Sequence, residues 1–289
     1  MIFKEQCQVS IQLILLITMV SMKMLLNIRK STEPVLLNLV NCCIYNSDFP
    51  KNIKINKIIP IAKDTDYLSP SHYRSINIFS PISKIIEKCW AIQIDKYLVD
   101  NNYLPDNHQG GIKGQGTATS TINIQAKINQ IINSNKIAAV IGLDQSGCYQ
   151  IIAHSILLKK GFSPQVIKLL KNYLSDRKQH VYLNTKSSNI LLVGEQSIFQ
   201  GTMLYSAFYN IFSLDLPFIA HKDTHHSHYE YFLCKNPYSL CYIDDNFAVI
   251  EGSDTNILEK ITEYIELMKN YYHANKLKIN IHKTQIIGQ

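Results

Sequence analysis

Three aspartates carry the strongest chemical signal in this chain, and two of them are adjacent. Tyr242-Ile243-Asp244-Asp245 is flanked by the largely apolar runs Ser239-Leu240-Cys241 and Asn246-Phe247-Ala248-Val249-Ile250. In one straight strand neighbouring side chains point to opposite faces, so adjacent acids would not share a task. A tight turn relaxes that, and Asp suits turn positions. The stretch therefore predicts a β-hairpin with acidic side chains at its tip. Crowding two like charges is costly unless a cation neutralises them. A hard divalent cation such as Mg²⁺ needs few protein carboxylates and takes its other oxygens from water and phosphates. A solvated Asp-Asp turn is the plainer alternative. The third acid, Asp144, ends the continuous apolar run Ile137 to Leu143. A carboxylate there is placed for a metal ligand, and a core strand followed by an acidic turn is the alternative.

Cations supply the second signal. Ile53 to Ala62 reads as a strand leading into Lys63, and Tyr73-Arg74-Ser75-Ile76 as a second strand after the polar stretch Asp64 to His72. Lys63 on one arm and Arg74 on the other could hold a triphosphate, Arg by its fork and Lys as a point charge. Two solvated surface cations are the competing reading. Gln109-Gly110-Gly111-Ile112-Lys113-Gly114-Gln115-Gly116-Thr117 is the densest glycine cluster. Glycines let backbone approach phosphates closely, and Lys113 adds charge. The segment lacks the Gly-Lys-Ser/Thr ending of a P-loop, which excludes an ATPase loop of that type. Arg177-Lys178-Gln179-His180-Val181-Tyr182-Leu183 reads as a basic turn entering a strand. His221 to Cys241 holds His221, His225, His226, His228, Cys234 and Cys241. Their spacing matches no structural zinc pattern, and a polar surface loop is the preferred reading.

These groups need a scaffold, and the chain is long enough to supply one. It has 289 residues, 46% of them hydrophobic, with a net charge of +7. That allows a sizeable core in one or two domains and suits a polyanionic partner. Seven cysteines without a C-x-x-C pair fit a reducing compartment with buried thiols rather than a disulfide framework. The run Val9 to Leu26 is interrupted by Gln12, Thr18, Ser21 and Lys23, so its purely apolar core is too short to span a bilayer; a buried or truncated helix, not a signal peptide, is the preferred reading. An intracellular protein, nuclear or cytoplasmic, is expected.

Helical spacing recurs along the chain. Ser21 to Tyr45 predicts two helical pieces broken near Pro34. Ser83 to Asn101 predicts an amphipathic helix whose apolar side, Ile85, Ile86, Cys89, Trp90, Ile94, Tyr97 and Leu98, packs in a core. A helix with Ile124, Ile128, Ile131 and Ile132 follows the glycine cluster. Ser163-Pro164 caps another, with Val166, Ile167, Leu170, Tyr173 and Leu174. One more follows Gln200-Gly201-Thr202, and Asp254 is expected to cap a long helix with Ile257, Ile261, Ile265, Met268 and Tyr272 on one face. Leu277 to Thr284 has strand-like alternation.

In this order the pieces resemble the reverse transcriptase domain of non-LTR retrotransposons, from about Ser21 to Gly288. Pro60 to Lys63 and Tyr73 to Ile76 resemble the family's P-x-x-K and Y-R-P-I segments. Gln109 to Thr117 resembles Q-x-G-F-R-x-G-R-S-T, and Leu143-Asp144-Gln145-Ser146 resembles L-D-x-S. Tyr173 to Gln179 is close to Y-L-S-D-R-x-Q, and Gln200-Gly201 matches Q-G. Tyr242 to Asp245 matches aromatic-x-D-D, and Asn280 to Thr284 resembles L-N-x-x-K-T.

The resemblance implies an α+β right-hand polymerase fold, fingers and palm, with the thumb missing or truncated. It implies a helical segment over 1–50, fingers over 51–135, a first palm part over 136–153, a fingers insertion over 154–198 and a second palm part over 199–289. The implied activity is RNA-directed DNA synthesis: a DNA primer extended on an RNA template from dNTPs, with two Mg²⁺ ions (Mn²⁺ as an alternative), no membrane and no small-molecule cofactor. Asp144, Asp244 and Asp245 would be catalytic metal ligands. Lys63, Arg74, Tyr149, Gln200, Gly201 and Lys283 would serve the nucleotide, with Tyr149 excluding a 2′-hydroxyl and Lys283 a candidate acid for pyrophosphate. Lys113, Arg177 and Lys178 would bind nucleic acid. The chain departs from the family pattern where Cys148-Tyr149-Gln150 replaces A-F-D, where Lys113 and Gln115 replace two arginines, at Phe199 for Pro, and at Tyr205-Ser206. A truncated, inactive fragment that folds and binds nucleic acid is the second reading. A viral RNA-dependent RNA polymerase is the third, and Tyr149 together with the absence of Gly-Asp-Asp argues against it.

Overall fold

The computed structural model describes residues 21–63, 69–104, 107–112, 114–146, 161–183, 185–193, 199, 201–214, 216, 238–242, 245–274 and 277–288. In chain order its helices and strands are α1 (Met22–Asn27), α2 (Arg29–Asn46), β1 (Ile55–Ala62), β2 (Tyr73–Ile78), α3 (Pro81–Asp100), α4 (Thr117–Ile132), β3 (Ile137–Leu143), β4 (Gln145–Ser146), α5 (Pro164–Leu174), β5 (Lys178–Leu183), β6 (Lys186–Ser187), β7 (Leu191–Leu192), α6 (Tyr205–Phe212), β8 (Tyr238–Tyr242), β9 (Asp245–Gly252), α7 (Ile257–Ala274), β10 (Lys278–Ile279) and β11 (Gln285–Gly288). The chain divides into two interleaved compact units, Met1–Gln93 with Ile152–Tyr205 and Ile94–Ile151 with Ser206–Gln289. Residues 94–135 thus belong with the second unit.

The first unit is built on the sheet β2-β1-β5-β6, with β7 also pairing β5. The antiparallel β1–β2 hairpin and the parallel β1–β5 pair make β1 its centre. Burial alternates along β1, with Asn56 and Ile58 inward and Ile55 and Ile61 outward. Beneath the inner face sits an aromatic cluster. Phe49 meets the Trp90 and Tyr173 rings edge-on at centroid distances of 5.7 and 5.0 Å. Each such pair contributes about 0.5–1.5 kcal/mol beyond area burial. Ser163 caps α5 as expected, its Oγ accepting the Val166 N–H at 3.4 Å.

The first two helices differ from expectation. The break falls at Ile28, and Pro34 lies inside α2. As the sixth residue of α2, Pro34 lies past the first turn and supplies no N–H to the Lys30 carbonyl four residues back. At the start of α2 the Thr32 hydroxyl donates to the Ile28 carbonyl at 3.1 Å. Cys43 and Cys241 are buried thiols, the pKa of the first pushed up to about 12 by burial. Among the described residues no helix is long and apolar enough to cross a membrane.

The second unit is an antiparallel sheet, β11-β3-β9-β8, with the small ladder β10-β4 beside it. On one face Ile124, Ile128 and Ile131 of α4 pack against Ala138, Val140 and Val249. On the other, α7 turns in Tyr264, Met268 and Tyr272. Asn246 Nδ2 meets the Tyr272 hydroxyl at 3.3 Å, and Ser239 Oγ lies 3.4 Å from that of Tyr264. Helix α7 begins at Ile257, not directly after Asp254. Residues 254–256 form a turn in which Asn256 Oδ1 accepts the Ser253 N–H at 2.8 Å.

Residues 107–109 run beside β8. Gln109 N–H donates to the Cys241 carbonyl and Cys241 N–H to that of Asn107, each at 2.9 Å. Between them His108 is fully buried, with Nε2 3.0 Å from Ser213 Oγ. The Ser213 proton is committed to the Tyr209 carbonyl at 2.8 Å. His108 Nε2–H is therefore the donor, and Nδ1 carries no proton and has no partner. A second proton would be a buried, unpaired charge, and burial lowers the His108 pKa from 6.5 to about 4. The unfolded chain then binds a proton that the folded one refuses between those two values, so stability must fall as pH drops from 6.5 and level off below about 4. The size is about 3 kcal/mol. Urea unfolding at pH 7 and pH 4.5 measures it, and His108→Gln should flatten that part of the profile.

Candidate active site

The β3–β9 pairing sets the geometry of the acids. Its register runs from Ile137 opposite Gly252 to Leu143 opposite Asn246. The next position on each strand is Asp144 and Asp245, so the ladder delivers one acid from each strand to the same end of the sheet. Opposed residues share a face, and successive residues alternate. Both acids therefore follow Gly142 and Phe247, which stand opposite each other. Asp245 is exposed and Asp144 half-buried. The β8–β9 register closes with Tyr242 opposite Asp245, the hairpin expected from sequence. Asp244 lies in its connection, outside the described residues, as do Lys113, Tyr149, Gln200 and the His/Cys-rich residues 221–237.

A third segment reaches this sheet end. The Asn280 N–H donates to the Asp144 carbonyl at 2.8 Å, and the following turn closes with Lys283 N–H on the Asn280 carbonyl at 3.1 Å. Lys283 is exposed in that turn. Among the described residues no group of three or more His, Cys, Asp or Glu side chains could hold a metal ion. Asp144 and Asp245 are hard oxygen donors with access to solvent, and those features fit a cation that keeps waters and phosphate oxygens in its shell.

In the first unit the hairpin places the two expected cations together. Ile61 is opposite Arg74, and the pairing continues through Lys63 N–H on the His72 carbonyl at 2.8 Å. Lys63 and Arg74 therefore sit diagonally on one face, both exposed. The β1–β5 register adds Lys178, opposite Ile55, and His180, opposite Lys57. The Lys57 ammonium stands 3.2 Å above the Tyr182 ring. This face carries Lys57, Lys63, Arg74 and Lys178, and Lys57 was not picked out from the sequence. The Lys178 expectation fits an exposed position.

Arg177 does not. It is 0% exposed, its Nε donating to the Tyr173 carbonyl at 2.8 Å and its guanidinium lying 4.1 Å from the Tyr173 ring centroid. A buried guanidinium offers nothing to a nucleic acid, so its expected role is corrected to one inside the core. Its charge partner is Glu87, 3.9 Å away and also 0% exposed. Sequence reading assigned α3 to core packing and passed over Glu87. Its signal was an acid one residue from Ile86 on the buried side of the helix.

Gly201 has φ +106°, and a Cβ there would stand 2.8 Å from the Asn77 carbonyl oxygen. Only glycine fits. Gly111 has a similar need for a different reason than phosphate approach: at φ +74° a Cβ would lie 2.5 Å from Ser206 Cβ. The Asn210 amide donates to the Gly110 carbonyl at 3.0 Å, and Gln109 Oε1 accepts from Ser120 at 2.8 Å. That part of the glycine-rich segment is occupied with packing.

The family model for reverse transcriptase (RNA-dependent DNA polymerase) matches residues 61–289. A probable RNA-directed DNA polymerase from transposon BS of Drosophila melanogaster is 26% identical over 270 residues, covering 87% of this chain and 28% of that protein. The chain thus spans little more than a quarter of that relative's length. Among solved structures, apo telomerase from Candida tropicalis truncated from its C-terminal domain superposes with a TM-score of 0.56 at 14% identity, over 82% of this chain and 51% of the other. Telomerase from the same organism in complex with the TWJ fragment of telomeric RNA gives 0.53 at 16% identity, over 82% and 41%. At these identities the likeness concerns the fold, the fingers and palm of a right-hand polymerase. Enzymes of this kind generally use divalent metals. The chain belongs to the reverse transcriptase family, as a domain of the non-LTR retrotransposon type.

Proposed function

We propose that this domain is an RNA-directed DNA polymerase that extends a DNA primer along an RNA template from deoxynucleoside triphosphates. The observation that carries the reading is the β3–β9 register, which sets Asp144 beside Asp245 from distant parts of the sequence. Asp144, Asp244 and Asp245 would hold two Mg²⁺ ions, or Mn²⁺ in their place. When bound, the metal supplies charge neutralisation at the primer 3′-oxygen and the departing pyrophosphate. The primer 3′-hydroxyl releases its proton to solvent, its oxygen bonds to the α-phosphorus, and the bond from that phosphorus to the bridging oxygen of the β-phosphate breaks. Catalysis of such a transfer is mostly positioning and charge stabilisation. Lys63 and Arg74 neutralise the triphosphate, and Gln200 with Gly201 lines the nucleotide site. Lys283, in the turn tied to Asp144, donates a proton to the pyrophosphate. Tyr149 closes the space a 2′-hydroxyl would need. Lys57 and Lys178, with Lys113 from the glycine-rich segment, hold the template–primer backbone. An intracellular site of action, nuclear or cytoplasmic, completes the proposal.

Asp144→Asn, Asp244→Asn and Asp245→Asn should each abolish Mg²⁺-dependent extension of a DNA primer on an RNA template, with circular dichroism unchanged. If wild type extends nothing while it still binds the duplex, the domain is a nucleic-acid-binding fragment instead.

Binding should be salt-sensitive and largely independent of sequence. Filter binding across a salt series should show the slope reduced by about one for Lys57→Ala and again for Lys178→Ala, with Arg177 variants affecting folding rather than slope. Affinity that ignores salt would remove the nucleic-acid partner.

Tyr149→Ala should admit ribonucleotides with little loss of deoxynucleotide incorporation, read with dNTPs and rNTPs in separate extensions. A wild type that already prefers rNTPs would overturn both the gate and the polymerase class.

A further inference from the structure

The carboxylate of Glu87 is fully buried and receives four donors. Ser83 Oγ and the Tyr173 hydroxyl donate to Oε1 at 2.7 and 3.0 Å. Thr202 Oγ1 and the Met203 N–H donate to Oε2 at 2.9 and 3.1 Å. Burial pushes the Tyr173 hydroxyl pKa up, so it keeps its proton for Glu87, with Thr202 Oγ1 2.9 Å away. Arg177 Nη2 lies 3.9 Å from Oε1 and balances the charge.

Half of those donors come from residues 202–203, which belong to no helix or strand. The other side of the same loop is also fixed. The Phe199 ring packs edge-on to Phe79 at 6.1 Å and lies 5.5 Å from the Arg177 guanidinium carbon. Between these anchors Gly201 rests on the Asn77 carbonyl, three residues along β2 from Arg74. Burying a carboxylate and a guanidinium is costly, and apolar residues of the same volume would often serve stability as well. What an ionised carboxylate adds is direction: each donor has one place to stand.

We propose that Glu87, charge-balanced by Arg177, is a positioning residue that holds the Gly201 loop in register with β2 for nucleotide binding. The inference rests on the polymerase reading above. Thr202 is the link that can be cut with least damage, since Thr202→Val removes the hydroxyl at nearly constant shape and Thr202→Ser keeps it. The experiment is single-nucleotide primer extension by wild type, Thr202→Val, Thr202→Ser and Glu87→Gln, with hydrogen exchange of peptides covering 199–205. Thr202→Val and Glu87→Gln should raise KM for the dNTP roughly tenfold, in the range seen when outer partners of a site are lost. Their kcat should change far less, and exchange should quicken within 199–205 only. Thr202→Ser should restore the wild-type KM. An unmoved KM in both variants alongside wild-type synthesis overturns the inference alone. So does a loss of folded protein with wild-type KM in what remains, because that is a purely structural role. A wild type that extends nothing overturns the polymerase reading and this inference with it.

Discussion

The structure of the palm depends on the register of β3 against β9. Side chains alternate along a strand, so a slip by one residue would turn every inward group outward. Here both faces are committed. Ala138 and Val140 meet the helix Thr117–Ile132, and Asn246 and Ser239 meet the tyrosines of the helix Ile257–Ala274. A slip would set alanines and valines against tyrosine hydroxyls and leave Asn246 facing an isoleucine stripe. The core therefore fixes which residue ends each strand, and those residues are Asp144 and Asp245. No side-chain contact between the acids is needed to bring them together. Backbone pairing does it, and exchanging Asp for Asn changes the charge while leaving the ladder intact.

The fingers unit solves a different problem, that of charge inside a core. Arg177 to Leu183 reads in the sequence as a basic turn entering a strand. Asp176 adopts a left-handed conformation at φ 53°, which turns the chain back on itself after α5. Arg177 then points at the end of the helix it has just left and caps the Tyr173 carbonyl. A cation suits that position, where unpaired carbonyls gather. Lys54 does the same from the position just before β1, its ammonium meeting the carbonyls of Asn172 and Ser175. Burial first, and the Arg177 charge second, lower its pKa. Two cations converge on one helix end; Glu87 opposes the charge of Arg177, and Asp48 and Asp176 that of Lys54.

This explains which features could be read from sequence. The strand Ile137–Leu143, the Ser163 cap and the acidic hairpin were legible because their signals are local: a continuous apolar run, a Ser-Pro pair, and an Asp pair between strands. The hairpin pairing of Lys63 with Arg74 followed from two strands and a polar turn. What escaped depends on contacts between distant segments. Nothing near Arg177 in sequence says that Phe49, Phe79 and Phe199 will surround it. Lys57 became visible only once the parallel pairing with β5 put it beside Tyr182. Pro34 was read as a break because proline costs a helix most in its interior, whereas the structure carries it inside α2, which starts at Arg29.

The glycine-rich segment shows how one motif divides its work. Its family pattern carries two arginines where this chain has Lys113 and Gln115, and Lys lacks the fork that grips a phosphate in two places. The structural half of the segment is nevertheless intact. Gln109 bonds Ser120, Gly110 bonds Asn210, and Gly111 is pressed against Ser206. By contrast Gly114, at φ +86°, has nothing within 4 Å of where a Cβ would stand, so its glycine serves backbone conformation rather than packing. Close packing ends between these two glycines, and Gln115 beyond them is exposed. On the proposed role, Lys113 and Gln115 in place of two arginines weaken grip on a phosphate backbone without loosening the sheet that carries Asp144 and Asp245. A domain altered this way should lose affinity for its template before it loses the geometry of its acids.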